Sequence, residues 1–137
     1  MKRLIFGDDD NICKWVADNI PHVKSFSNAA AIGVSDGNKI IAGVVYHDYV
    51  DRSVQMSVAS IKKNWLTSNS LSAFFRYPFI QLDCIRVTAL TPEKNIRTIK
   101  FLESLGFIQE GKIRKGFVTD HCLIYGLLRE ECRFLKE

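Results

Sequence analysis

The sequence predicts an α/β (α+β) fold: one mixed sheet with helices packed on both of its faces. Three observations carry this. Runs with the period-two pattern of strands alternate with runs at helical spacing through the middle of the chain. Strand pairs lie toward both ends, the first joined by a strong turn signal. The 137 residues, 47% hydrophobic and 25% charged, suffice for one core, so a single domain over residues 1–137 is expected.

The first strand is Arg3-Leu4-Ile5-Phe6. A helix follows from Asp8. Ile12, Trp15, Val16 and Ile20 share one face, the leading acids suit the positive end of the helix dipole, and Pro21 stops it. Residues 29–50 read as a hairpin around Ser35-Asp36-Gly37-Asn38. Residues 53–60 form a third strand, with Val54, Met56 and Val58 on one face and the smaller or polar Gln55, Ser57 and Ala59 on the other. A loop then enters a helix that Thr67, Ser68 or Ser70 can cap. Leu71, Phe74 and Phe75 line it, and Pro78 is expected to kink or shorten its last turn. Residues 84–90 predict a buried strand. Thr91-Pro92-Glu93 is expected to open the next helix, with Ile96, Ile99, Leu102 and Leu105 on its apolar side. Gly106 should end it at positive φ, and Phe107 should enter the core. Residues 107–117 and 121–130 are the last two strands.

The composition excludes several classes. No apolar run reaches membrane-spanning length, and the N-terminal residues lack the pattern of a secretory signal, so a cytoplasmic protein without a membrane partner is expected. Cys13, Cys84, Cys122 and Cys132 form no C-x-x-C pair and read mainly as reduced core residues, with no metal site. Charge is uneven. Residues 1–60 hold six Lys and Arg against seven Asp and Glu, and residues 61–137 hold thirteen against eight. The basic half can face an anionic ligand, a nucleic acid or solvent alone.

The element order, taken with Asn95, Leu105-Gly106-Phe107, Glu110-Gly111, Arg114 and Tyr125-Gly126-Leu127-Leu128-Arg129-Glu130, resembles the GNAT acyltransferase superfamily, and in its second half the RimJ/RimL-like branch. The match covers residues 53–131 well and the earlier part by element order. The resemblance implies a mostly antiparallel sheet of six to seven strands with two splayed central parallel strands, here 54–60 and 85–90. It implies acetyl-CoA as co-substrate in the cleft between them, and an amine acceptor. Asn95 would bond the pantetheine arm, or else merely cap its helix. Val58, Ala59, Thr98 and Phe101 complete the cofactor-binding set on the cleft walls. The chain departs from the pattern where the family carries a glycine-rich pyrophosphate loop: the segment from Ser60 to Ser70 holds no glycine. Lys62, Lys63, Thr67, Ser68, Asn69 and Ser70 would supply charge, hydroxyls and helix N-terminal amides instead. Trp65 in that loop reads as a core plug or a stacking platform.

Acyl transfer to an amine needs a base, an oxyanion donor and a proton for the departing thiolate. His47 and Asp48, at the end of the hairpin strand, are the base candidates. Ser57 is a candidate for substrate binding or proton donation. The family's tyrosine acid, seven residues after the asparagine, is replaced by Leu102, which leaves Tyr125 as the candidate. Each also reads as an ordinary surface or core residue, and Glu110 either binds an amine or pairs with Lys112. Cys84 and Cys122 are poor nucleophiles if buried. The leading expectation is an acetyl-CoA-dependent N-acetyltransferase acting by direct attack on an amine of a small molecule or a protein N-terminus, as monomer or homodimer. The alternatives are a non-catalytic GNAT-like binding module and a nucleic-acid-modifying acyltransferase.

Overall fold

The computed structural model describes residues 1–135, so the last two residues of the expected domain lie outside the described residues. Seven strands form one sheet: β1 (Lys2–Ile5), β2 (Ala30–Asp36), β3 (Lys39–Val50), β4 (Ser53–Ser60), β5 (Arg86–Pro92), β6 (Ile108–Phe117) and β7 (Asp120–Leu128). Their spatial order is β1-β2-β3-β4-β5-β7-β6. Every neighbouring pair is antiparallel except β4 and β5. Three helices interrupt the strands: α1 (Asp9–Asp18), α2 (Ser68–Arg76) and α3 (Ile96–Ser104).

The β2–β3 turn is the two-residue Gly37-Asn38, with Gly37 at φ +63 and Asp36 opposite Lys39. Alternation along β3 and β4 then divides the core. Val45 and Ala59 face α1, together with Ile12 and Val16. Val44, Tyr46, Val54 and Met56 face the other way, toward Phe74, Phe75 and Leu102 of α2 and α3. Close approach of α1 depends on two missing side chains. A Cβ on Gly43 would lie 2.6 Å from Val16 Cγ2, and one on Gly33 would lie 2.5 Å from Ile12 Cδ1. On the opposite face, the buried Tyr46 hydroxyl donates to the Phe74 carbonyl at 2.5 Å and ties α2 to β3.

Several expectations need correction. Helix α2 ends at Arg76, short of Pro78 as expected, but the sequence did not show the π-type turn that follows, Tyr77–Gln81, closed by the Leu82 N–H on the Tyr77 carbonyl. Pro92 does not open α3. It is the last residue of β5, opposite Cys122, at a point where β5 has lost its neighbour on the β4 side and the missing N–H there costs nothing. The helix begins four residues later, so Ile96 lies in its exposed first turn rather than on its buried side. The strand at 86–92 is buried on one face only. Helix α1 packs mainly on β2 and β3, with less on β4, and Leu90 of β5 is left exposed. Gly106 ends α3 at φ +101, and Phe107 is buried. All four cysteines are free and buried.

Candidate functional site

Strands β4 and β5 pair only at Ser53↔Arg86, Val54↔Val87 and Gln55↔Thr88. Beyond Gln55, β4 continues beside β3 to Ser60, and β5 continues beside β7 to Pro92. The two diverge, and a wedge opens at their C-terminal ends. Main-chain groups on the β5-facing edge of Met56–Ser60 have no ladder partner there. Open α/β sheets gather ligands at such ends because the unpaired groups and following helix termini supply donors.

The expected cofactor segment connects the end of β4 to α2. Thr67 caps α2, its hydroxyl accepting from the Ser70 amide at 3.1 Å, while the Ser70 hydroxyl accepts from the Thr67 amide at 2.8 Å. Ser70 is 3% exposed, so its amide and hydroxyl are both spent on the cap. Ser68 and Asn69 keep amides with no partner among the described residues. Lys62 bonds Asp36 at 3.4 Å, beside the N-terminal ammonium, and is drawn toward the β2–β3 turn. Those two cations hold the Asp36 carboxyl below its usual range, the ammonium first. Lys63 is exposed and without such a partner among the described residues. Asn95 caps α3, accepting from the Thr98 amide at 3.2 Å, which leaves its own NH₂ group outward.

Trp65 takes the core-plug place on this side. It is 5% exposed and wedged between the helices, 5.7 Å from the Phe74 ring and 6.1 Å from Phe101. The cavity that remains between these rings, Met56 and Val58 measures about 10 Å³, room for one water at most. The open strand edge and the free amides of α2 fit a phosphate-bearing thioester. The space between α2 and α3 is filled by Trp65 and its neighbours.

The α1 side of the wedge carries a chain of polar groups. Ser57 is the first residue of β4 beyond the last ladder pair that points to this face. Its hydroxyl lies 2.8 Å from His47 Nε2, and His47 Nδ1 lies 2.5 Å from Asp48 Oδ2. Successive strand residues normally point to opposite faces, but Asp48 adopts φ +55 where the β3–β4 register breaks. That turn returns its carboxylate to the preceding ring. The His47 side chain is 13% exposed, and Phe26 packs on its ring at 5.1 Å. The His22 ring meets Phe117 at 4.4 Å, joining the loop after α1 to the β6–β7 hairpin.

Tyr125 does not join His47, Asp48 and Ser57. It is 1% exposed on the α3 face of β7, where its hydroxyl donates to Glu103 at 3.3 Å, and burial pushes the phenol pKa up. Glu110 does not pair with Lys112. Arg86 holds it with two bonds, at 2.5 and 3.2 Å, over the bare Cα of Gly126, while Lys112 reaches Glu93. Neither Phe26 nor the Arg86–Glu110 pair stands out in the sequence. Alternation of Arg86, Thr88 and Leu90 along β5 was the available signal. Burial raises the thiol pKa of Cys84 and Cys122.

No protein-family model and no curated protein matches the chain. Solved structures do match it in shape. A spermidine N-acetyltransferase chimera from Vibrio cholerae and hSSAT superposes with a TM-score of 0.77 at 13% identity, over 98% of this chain and 99% of that one. The chain has the GNAT fold. A ribosomal-protein-S5-alanine acetyltransferase from Vibrio fischeri matches that GNAT fold with a TM-score of 0.72 at 17% identity, over 96% and 94%. A probable acetyltransferase gives 0.66 at 22% identity, over 76% of this chain and 64% of its own length. At these identities the likeness is one of fold. No helix among the described residues is long and apolar enough to cross a membrane.

Proposed function

We propose that the protein is an acetyl-CoA-dependent N-acetyltransferase whose acceptor is an amine of a small molecule or a protein N-terminus. The observation that carries this reading is the β4–β5 wedge, with an unpaired main-chain edge on one strand and the Ser57–His47–Asp48 chain at its side. The spermidine and alanine acceptors named for two GNAT-fold neighbours support an amine acceptor without selecting one. In this reading the thioester carbonyl lies in the wedge, its oxygen facing the open edge of β4. The amine enters from the α1 side and attacks directly. His47 takes its proton through the Ser57 hydroxyl and returns it to the departing thiolate. The amides of Ser68 and Asn69 receive phosphate at the α2 N-terminus, with Lys63 as the nearby cation and Asn95, Thr98, Val58 and Ala59 along the walls. Four free buried cysteines suit the reducing cytosol.

Calorimetric titration with acetyl-CoA, followed by turnover on polyamines and N-terminal peptides, tests the reading. Binding is expected, and His47→Asn should lower kcat/KM by roughly a hundredfold or more with the melting temperature retained. The filled space around Trp65 favours one rival, a binding module that has given up the cofactor. Absence of acetyl-CoA binding at millimolar ligand would establish that rival instead.

A further inference from the structure

We infer that Ser57 is itself an acyl acceptor: the Asp48–His47–Ser57 chain is a nucleophilic triad that hydrolyses short-chain esters and thioesters when no amine occupies the wedge. The geometry supplies each part. An alcohol becomes a nucleophile when a base lies within hydrogen-bond reach and a third group orients that base. Ser57 Oγ to His47 Nε2 is 2.8 Å, and His47 Nδ1 to Asp48 Oδ2 is 2.5 Å. The carboxylate is brought there by a left-handed backbone at Asp48, and the ring is fixed by Phe26. One oxyanion donor is adjacent. Consecutive strand residues send their N–H groups to opposite sides, so either Ser57 or Val58 directs its amide to the edge of β4 that β5 has left.

The step balances without another reagent. Ser57 Oγ bonds the acyl carbon, and the C–S or C–O bond of the donor breaks. The serine proton passes to His47 Nε2 and then to the leaving thiolate or alkoxide. Water, deprotonated by the same nitrogen, releases the acid and restores Ser57. The inference rests on the transfer reading only for the identity of the natural donor. The triad itself is a property of β3 and β4, on the opposite face from Trp65.

The probe is p-nitrophenyl acetate, which needs no cofactor site. The protein should release p-nitrophenolate in a burst, and the peptide carrying Ser57 should gain an acetyl mass in the quenched sample. Ser57→Ala and His47→Asn should each lower the burst rate by about a hundredfold or more. Ser57→Cys should be acylated at the new thiol, which shows that the site remains folded. Acetylation at other residues only, or a burst unchanged in Ser57→Ala, would overturn the inference. So would amine-dependent turnover of acetyl-CoA by the parent with no acyl-enzyme at Ser57, an outcome that leaves the transferase, and Ser57 as its proton relay, standing. Acylated Ser57 in a protein that does not bind acetyl-CoA would uphold the triad and remove the transferase.

Discussion

At Gly106 the backbone carries φ +101, and a Cβ at this position would meet nothing closer than 3.6 Å. Space is available, so the cost of any side chain there is backbone strain alone. Gly106→Val should lower stability by about 1–3 kcal/mol, read as a fall in melting temperature with no change in sheet content. The Glu110 carboxyl makes a different case. Arg86 holds it below the usual carboxylate range, mainly through hydrogen bonding. A depressed folded pKa means that the pair stabilises fully above the unfolded value, about pH 4.3, and that this contribution is lost as pH falls through the folded value. Arg86→Met should therefore melt below the parent at neutral pH, and the gap should narrow in acid. Both groups are partly exposed, so the gap will be small. A gap independent of pH would assign the loss to packing of the arginine stem.

Helix α2 and the loop before it combine a closed cap with an aromatic plug. Trp65→Ala removes the ring between Phe74 and Phe101 and should cost roughly 3–5 kcal/mol through the cavity it leaves. On the proposed acetyl-CoA reading it should also tighten the cofactor, by opening the space that the ring fills. A weaker complex in the variant would make Trp65 a wall of the site rather than its stopper. The two loop lysines separate in the same assay. Lys62 is engaged with Asp36, so Lys62→Ala should leave affinity unchanged. Lys63→Ala should raise the dissociation constant by up to about fivefold, less at high salt.

For the whole molecule, the element order was legible because each element carries its own period, and Gly37 and Gly106 mark turns whose φ only glycine adopts cheaply. The splay was legible only through resemblance. Nothing in residues 53–60 or 86–92 states that their ladder stops after Gln55↔Thr88. Pro92 misled because its missing N–H suits a helix start as well as an unpaired strand end. The candidate residues could be named singly. That His47, Asp48 and Ser57 touch depends on the β3–β4 register and on one left-handed residue, neither of which has a local sequence code. Leu90 on β5 is exposed because α1 lies mainly over β2 and β3, a tertiary fact invisible to a strand-by-strand pattern.

The chain holds two tryptophans, Trp15 on the rim of α1 and Trp65 in the wedge. An indole shut among aromatic rings emits at shorter wavelength than one in water. In a Trp15→Phe variant, the single remaining emitter reports on the wedge alone. Its spectrum should start blue and move red as acetyl-CoA is added, at the concentration where the calorimeter records heat. Such a shift would make the stopper an optical gauge of its own displacement, and stopped-flow emission would then give the rate at which that space opens.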